Sequence, residues 1–269
     1  MKTLSIALIA TSTLCLAPAQ AALIAQYELN EAAGPTLNDS AGTNTSGTQA
    51  GAAHLYNQAA IPAGSYGALT LGPSQFGATA GLSAPNGQWV TGVNNEFGTL
   101  QNNFTVMAWI NPNAISAGTN QRILSRSGIT SQGNNGGLNG GWGFGLFGNE
   151  IRITGYSVVD STSTGANITA GTWQHIAATK SSTDGVSFYV NGNLVDTNAG
   201  DTGNWQTSND GWMLFNAFGG HNFVGLGDEI RVYDTVLNLS EIRAAAVPEP
   251  STSVLFGLGA IAFLLRRRK

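Results

Sequence analysis

The sequence predicts an all-β protein, an antiparallel β-sandwich or barrel, on three observations. Glycine fills 36 of 269 positions, too many for a helical chain, because each costs a helix interior about 1 kcal/mol. Short alternating segments recur between clusters of Gly, Asn, Ser and Thr, with turn signals every 8–12 residues or so. Between residues 22 and 246 no long helical period appears.

Leu23, Ala25, Tyr27 and Leu29 alternate with Ile24, Gln26 and Glu28, which suits an opening strand. Residues 104–110, Phe-Thr-Val-Met-Ala-Trp-Ile, are apolar on both faces, as a central sandwich strand must be. Residues 142–147 alternate large residues with glycine, and Gly148-Asn149 turns them into a strand over 150–154. A further strand covers 172–179. Residues 186–190 and 193–196 flank Asn191-Gly192, a type I′ hairpin signal, because both residues accept positive φ. Strands over 212–217 and 223–234 follow. Asn238, three residues before Glu241, predicts a capped helix over 239–245.

Charge narrows the partners. Five of the eleven basic residues sit at the two ends, which leaves six against fifteen acidic residues from Glu28 to Glu249. A body this acidic does not track a phosphate backbone, which excludes nucleic acid and an anionic membrane surface as partners.

The ends read as addresses. Lys2, the apolar run Leu4–Leu16 and Ala19-Gln20-Ala21 form a secretory signal peptide over 1–21, with a predicted cut before Ala22. The single cysteine, Cys15, leaves with it, so the exported chain carries no disulfide or thiolate chemistry. At the other end Pro248-Glu249-Pro250 precedes the uncharged run Val254–Leu265 and then Arg266-Arg267-Arg268-Lys269. As a helix that run rises about 18 Å against a hydrocarbon core of about 30 Å, short for a permanent span.

These three features, in this order over residues 247–269, resemble a PEP-CTERM sorting tail. The resemblance implies a Gram-negative producer and passage through the secretion machinery. It also implies transient association with the inner membrane, processing by an exosortase-type enzyme, and delivery to the cell surface or an exopolysaccharide matrix. The strands carry a second resemblance. Phe104–Ile110, Ile123–Arg126, Thr172–Ala177, Phe188–Gly192 and Gly227–Asp234 with Leu239–Ile242 resemble successive elements of a laminin-G-like, concanavalin A-like jelly roll. It covers about residues 23–245, and so a domain over 22–246.

Enzymes share that fold, but no strand alternates acids in the manner of a retaining glycosidase, whose carboxyls stand about 5–5.5 Å apart. No Gly-x-Ser-x-Gly elbow occurs, and His54, His175 and His221 lack zinc spacing. His175, in a strand, reads as structural. The chain is therefore expected to be a non-catalytic binding module for glycan or a surface protein. The alternatives are a structural or adhesive matrix component, or a hydrolase whose acids meet only in the fold.

Two candidate sites stand out. Calcium takes six to eight oxygen ligands, and Asp39-Ser-Ala-Gly-Thr-Asn44 offers a carboxylate, an amide and turn carbonyls. By the family resemblance Asp39, Asn44 and Asp228 would hold Ca²⁺; the other reading of the loop is an Asx-type turn. For sugar, Trp142, Trp205 and Trp212 either line a groove with Asn209, Asp210 and Asn222 or cap the sandwich. Trp109 and Trp173, inside predicted strands, read as core.

Overall fold

The computed structural model describes residues 21–28, 36–37, 39–41, 47–50, 69–71, 88–90, 100–126, 140–207, 212–215, 221 and 223–246. In chain order the strands are β1 (Leu23–Tyr27), β2 (Thr36–Leu37), β3 (Gly47–Ala50), β4 (Leu69–Leu71), β5 (Gln88–Val90), β6 (Phe104–Pro112) and β7 (Asn120–Arg126). They continue with β8 (Trp142–Phe147), β9 (Glu150–Gly155), β10 (Val159–Thr162), β11 (Gln174–Ser181), β12 (Gly185–Val190), β13 (Asn193–Asn198), β14 (Trp212–Leu214) and β15 (Gly225–Tyr233), and helix α1 (Leu239–Ala245) follows.

The strands make two antiparallel sheets. The first runs β1-β15-β6-β11-β12-β13, with β4 also on β15; the second runs β10-β9-β8-β7-β14-β5-β3-β2. Their inner faces share one apolar core, which includes Phe104, Val106 and Ile110 from one sheet and Phe144, Leu146 and Ile153 from the other. The predicted central strand is β6, held between β15 and β11. Its other face, at Met107, joins Ala177, Tyr189, Leu237 and Ile242 in a second cluster under α1, which is why it is apolar on both sides.

Local chemistry fixes several joints. Asn191 (φ 49°) and Gly192 (φ 73°) both take positive φ and turn β12 into β13. Asn238 accepts from the backbone N–H groups of Ser240 and Glu241, while the Glu241 carboxylate takes the Asn238 N–H, a complete capping box. Asn238→Ala is expected to cost about 1 kcal/mol, read as a lower denaturation midpoint at unchanged slope.

The boundaries shift in places. The strand expected over 172–179 starts at Gln174, and Trp173 is half-buried ahead of it rather than in the core. The strand expected over 212–217 stops at Leu214, because Phe215 takes φ 58° and leaves the ladder. β10 was not legible, since Val-Asp-Ser-Thr has one apolar residue and no alternation; it forms as the partner of β9 at the sheet edge.

The two ends of the described domain lie together on the outer side of the first sheet. Ala22 N–H donates to Asp234 Oδ1 and Asp234 N–H to the Ala22 carbonyl, each at 3.2 Å. Ala21, Ala244 and Ala245 line one hollow with Arg231 and Tyr233.

Candidate functional site

The expected aromatic platform is corrected by the fold. Trp142, Trp205 and Trp212 are 1%, 2% and 0% exposed and belong to the core. Trp212 packs on Tyr27 at 4.9 Å between ring centroids, and Trp142 and Trp205 flank Phe104 at 5.0 and 5.7 Å. Trp142 and Trp212 point inward by strand alternation, and Trp205 reaches the core because Gly155 leaves space for its ring. A sugar face cannot stack on them. Asn209, Asp210 and Asn222 lie outside the described residues, as do Asn44 and the sorting residues Pro248, Glu249 and Pro250.

Of the calcium set, the structure describes Asp39 and Asp228. Asp39 Oδ1 accepts from the N–H groups of Gln26 (2.9 Å) and Ala41 (3.0 Å), an Asx turn that ties its loop to β1. Asp228 is fully buried in β15, where its Oδ1 caps the Glu229 N–H at 2.8 Å. Among the described residues no group of three or more His, Cys, Asp or Glu could hold a metal ion.

A different cluster emerges on the outer face of the second sheet. In β8, Trp142, Phe144 and Leu146 enter the core, so Gly143 and Gly145 face outward and leave a strip without side chains. Cross-strand register brings Ser125 and Thr154 to Gly143 from either side, and Arg122 and Arg152 to Gly145. A Cβ on Gly143 would collide with Tyr156 Oη and lie 3.4 Å from Arg122 Nε; one on Gly145 would strike the Gln121 carbonyl. Both glycines are therefore required by close approach.

Hydrogen bonds order the cluster. Arg122 donates to the Gly143 carbonyl (3.1 Å) and to Thr154 Oγ1 (2.6 Å), and Thr154 donates onward to Asp160 Oδ1 (2.6 Å). Arg152 donates to Thr162 (2.7 Å), pairs with Asp160 at 3.3 Å, and lies 3.6 Å over the Phe147 ring. Three buried polar atoms have no protein partner: Arg122 Nε, Ser125 Oγ and Tyr156 Oη. Burial lowers the Arg152 pKa from its ordinary value; Asp160 opposes this and Arg122 adds to it. Half-buried His221, whose carbonyl takes the Arg122 N–H, is lowered by burial and then by Arg122. These residues escaped sequence reading because they are scattered over 122–160; the one local signal was the Gly-x-Gly alternation in β8.

On the first sheet two acids do converge. Gln26 Nε2 donates to Glu229 Oε2 (3.2 Å) and Glu28 Oε1 (3.5 Å), and Arg231 pairs with Glu229 at 2.8 Å. Glu229 sits in a bulge at φ 49°, where β15 slips against β6. Burial raises its pKa most, Arg231 opposes that, and Glu28 adds to it. His175, expected to be structural, packs edge-on against Trp109 at 5.6 Å on the same face.

Two packed antiparallel sheets, one short closing helix and a polar outer face over glycines define a lectin-like sandwich module. The chain belongs to the concanavalin A-like lectin/glucanases superfamily, whose laminin G model matches residues 76–243. A PEP-CTERM protein-sorting motif matches residues 246–269. Comparison with curated proteins gives no match. Among solved structures, domain 4 of AbnA, a GH43 extracellular arabinanase from Geobacillus stearothermophilus in complex with arabinotriose, is similar. Its TM-score is 0.61 at 20% identity, over 84% of this chain and 99% of that one. The binding domain of Paraclostridial Mosquitocidal Protein 1 gives 0.60 at 16% identity, over 83% of this chain and 51% of that one. A botulinum neurotoxin type C structure, concerned with cell entry through two ganglioside molecules, gives 0.57 at 16% identity over 84% and 50%. At these identities the likeness is one of fold. Among the described residues no helix is long and apolar enough to cross a membrane.

Proposed function

We propose that this chain is an exported, non-catalytic glycan-binding module, placed at the cell surface or in its polysaccharide matrix through its C-terminal tail. The observation that carries it is the outer face of the second sheet. Exposed Asp160 and part-exposed Arg152 stand there at the edge of a buried Arg122–Thr154 network, a hydrogen-bonding surface suited to hydroxyl-rich ligands. The sorting motif and the arabinotriose-bound fold neighbour support it. In this reading residues 1–21 are removed on export from a Gram-negative cell. The tail then rests briefly in the inner membrane until an exosortase-type enzyme cuts it. Ca²⁺ at the 39–44 loop is carried as a condition of the test.

One observation favours a hydrolase instead: Glu28 and Glu229 meet at the Gln26 amide. The ion pair to Arg231 and the burial of Glu229 weigh against it, because a general acid must reach its substrate.

The test is binding of the full chain, in a sugar-free detergent, to a polysaccharide panel including the producer's own matrix, with Ca²⁺ and with chelator. Selective binding of one glycan class without release of reducing ends is the expected result. Reducing-end release that disappears in Glu229→Gln would establish the hydrolase. No binding in either condition, with the domain folded, would replace both readings by a structural matrix role.

A further inference from the structure

Hydrogen bonds fix the point at which the leader joins the domain, and this step rests on the reading of residues 1–21 as a leader removed on export. Ala22, one residue ahead of β1, is paired with Asp234, one residue past β15. Its N–H donates to Asp234 Oδ1 and its carbonyl accepts the Asp234 N–H, each at 3.2 Å. The pairing continues the β1–β15 ladder, in which Leu23 faces Tyr233. β1 ends its sheet on that side, so this joint secures the start of an edge strand. Ala22 is exposed, whereas Ala21 is half-buried at the border of the apolar cluster under α1. Among the described residues the Asp234 carboxylate has no ion pair.

A cut before Ala22 changes the chemistry of this donor. Hydrolysis of the Ala21–Ala22 bond consumes one water. It leaves a carboxylate on Ala21, which departs, and an amine on Ala22 that is protonated at neutral pH. An amide with one N–H becomes an ammonium with three, where a carboxylate oxygen already accepts. Charge-assisted bonds of this kind are roughly twice as strong as neutral ones. The neighbouring charges favour it. The hollow that Ala21 lines presents Arg231 and Tyr233 of β15 and Glu241 of α1. Arg231 is paired with Glu229 at 2.8 Å. Tyr233 is neutral, its pKa pushed up chiefly by burial, and the Glu241 carboxylate takes the Asn238 N–H. With Asp234 the balance around the new terminus is negative. We propose that Asp234 receives the mature amino terminus, so that removal of the leader turns the Ala22–Asp234 hydrogen bond into an ion pair that locks β1 onto β15. Such a pair holds the amine pKa above its ordinary value of about 7.7–8.0. Its contribution is whole below that range and is lost as pH rises through the raised value.

The chain's lysines make the amine easy to follow. They are Lys2, which leaves with the leader, Lys180, buried on the Ser181 and Thr202 carbonyls, and Lys269. The full chain is exported from a Gram-negative host, its amino terminus is sequenced, and its amines are methylated reductively with ¹³C-formaldehyde. A dimethylated terminus keeps its charge and one N–H. NMR titration of that signal in detergent gives its pKa, with the same protein in concentrated urea as the reference. The chain is expected to begin at Ala22, with the folded amine about half a pH unit above its unfolded value, the size of effect an exposed pair supplies. In Asp234→Asn, which keeps the accepting oxygen and the backbone bond to Ala22, the amine should return to the reference. Should that variant not fold, the comparison of folded with unfolded parent decides. Equal values in folded and unfolded parent, or a raised value unchanged in Asp234→Asn, overturn the proposal and leave the leader reading intact. A chain that begins elsewhere overturns the leader boundary, and the proposal falls with it, because Ala22 then carries no amine.

Discussion

Trp212→Ala should unfold the protein rather than blind it. The side chain is fully buried, stacked on Tyr27, in the strand that bridges β7 and β5. Emptying such a site removes its transfer free energy and leaves a cavity the two sheets cannot close, a loss of about 3–5 kcal/mol. That is a large share of the roughly 5–15 kcal/mol that holds a typical domain folded. Denaturant titration of Trp212→Ala and Tyr156→Phe side by side makes the contrast. The first should lose most of its stability and any binding together, and the second should keep its stability. A Trp212→Ala protein as stable as its parent would show that the ring is not core.

Acid should destabilise the fold through His175. Its ring is buried against Trp109, and burial, helped by the nearby Arg231 charge, lowers its pKa to about 3 from an ordinary 6.5. The unfolded chain therefore takes up this proton near pH 6.5, and the folded chain does not until about pH 3. Across that interval the unfolded state binds more protons, so stability falls as pH falls, at up to roughly 1.4 kcal/mol per pH unit. Glu229 acts in the opposite sense. Its raised pKa lets the folded state protonate first, which offsets part of the slope just above the ordinary 4.5. Comparing the parent with His175→Gln cancels that contribution, as it does for half-buried His221. The variant should show a visibly flatter stability profile between pH 6.5 and 4, whatever its absolute stability. Identical profiles would mean that the ring is protonated in the fold.

Much of this fold was legible because its strongest signals are local. The Asn191-Gly192 turn, the Asn238 cap and the two-sided apolarity of β6 each state a backbone requirement within a few residues. The β10 edge was not, because its partner β9 supplies the order that its own side chains do not. The site was harder for the same reason carried further. Tryptophans flanked by polar or glycine-rich stretches resemble exposed platforms, yet strand parity and a glycine gap at 155 send all three inward. Arg122, Ser125 and Tyr156 meet only through register between β7, β8 and β9, and no spacing along the chain encodes that. Even so, the alternation Trp142-Gly-Phe-Gly-Leu146 carries both halves of the answer, since the residues that fill the core leave glycines on the face behind them, where Tyr156 and Arg122 close in.

The pairing of Ala22 with Asp234, beside the hollow shared by Ala21, Ala244 and Ala245, also sets how the molecule hangs. Residue 22 and the helix that ends at Ala245 therefore come to one spot on the outer side of the first sheet, and the Gly143 face lies on the outer side of the second. A tether joined at either of these points, or at both, would hold the sandwich with that polar face on its far side.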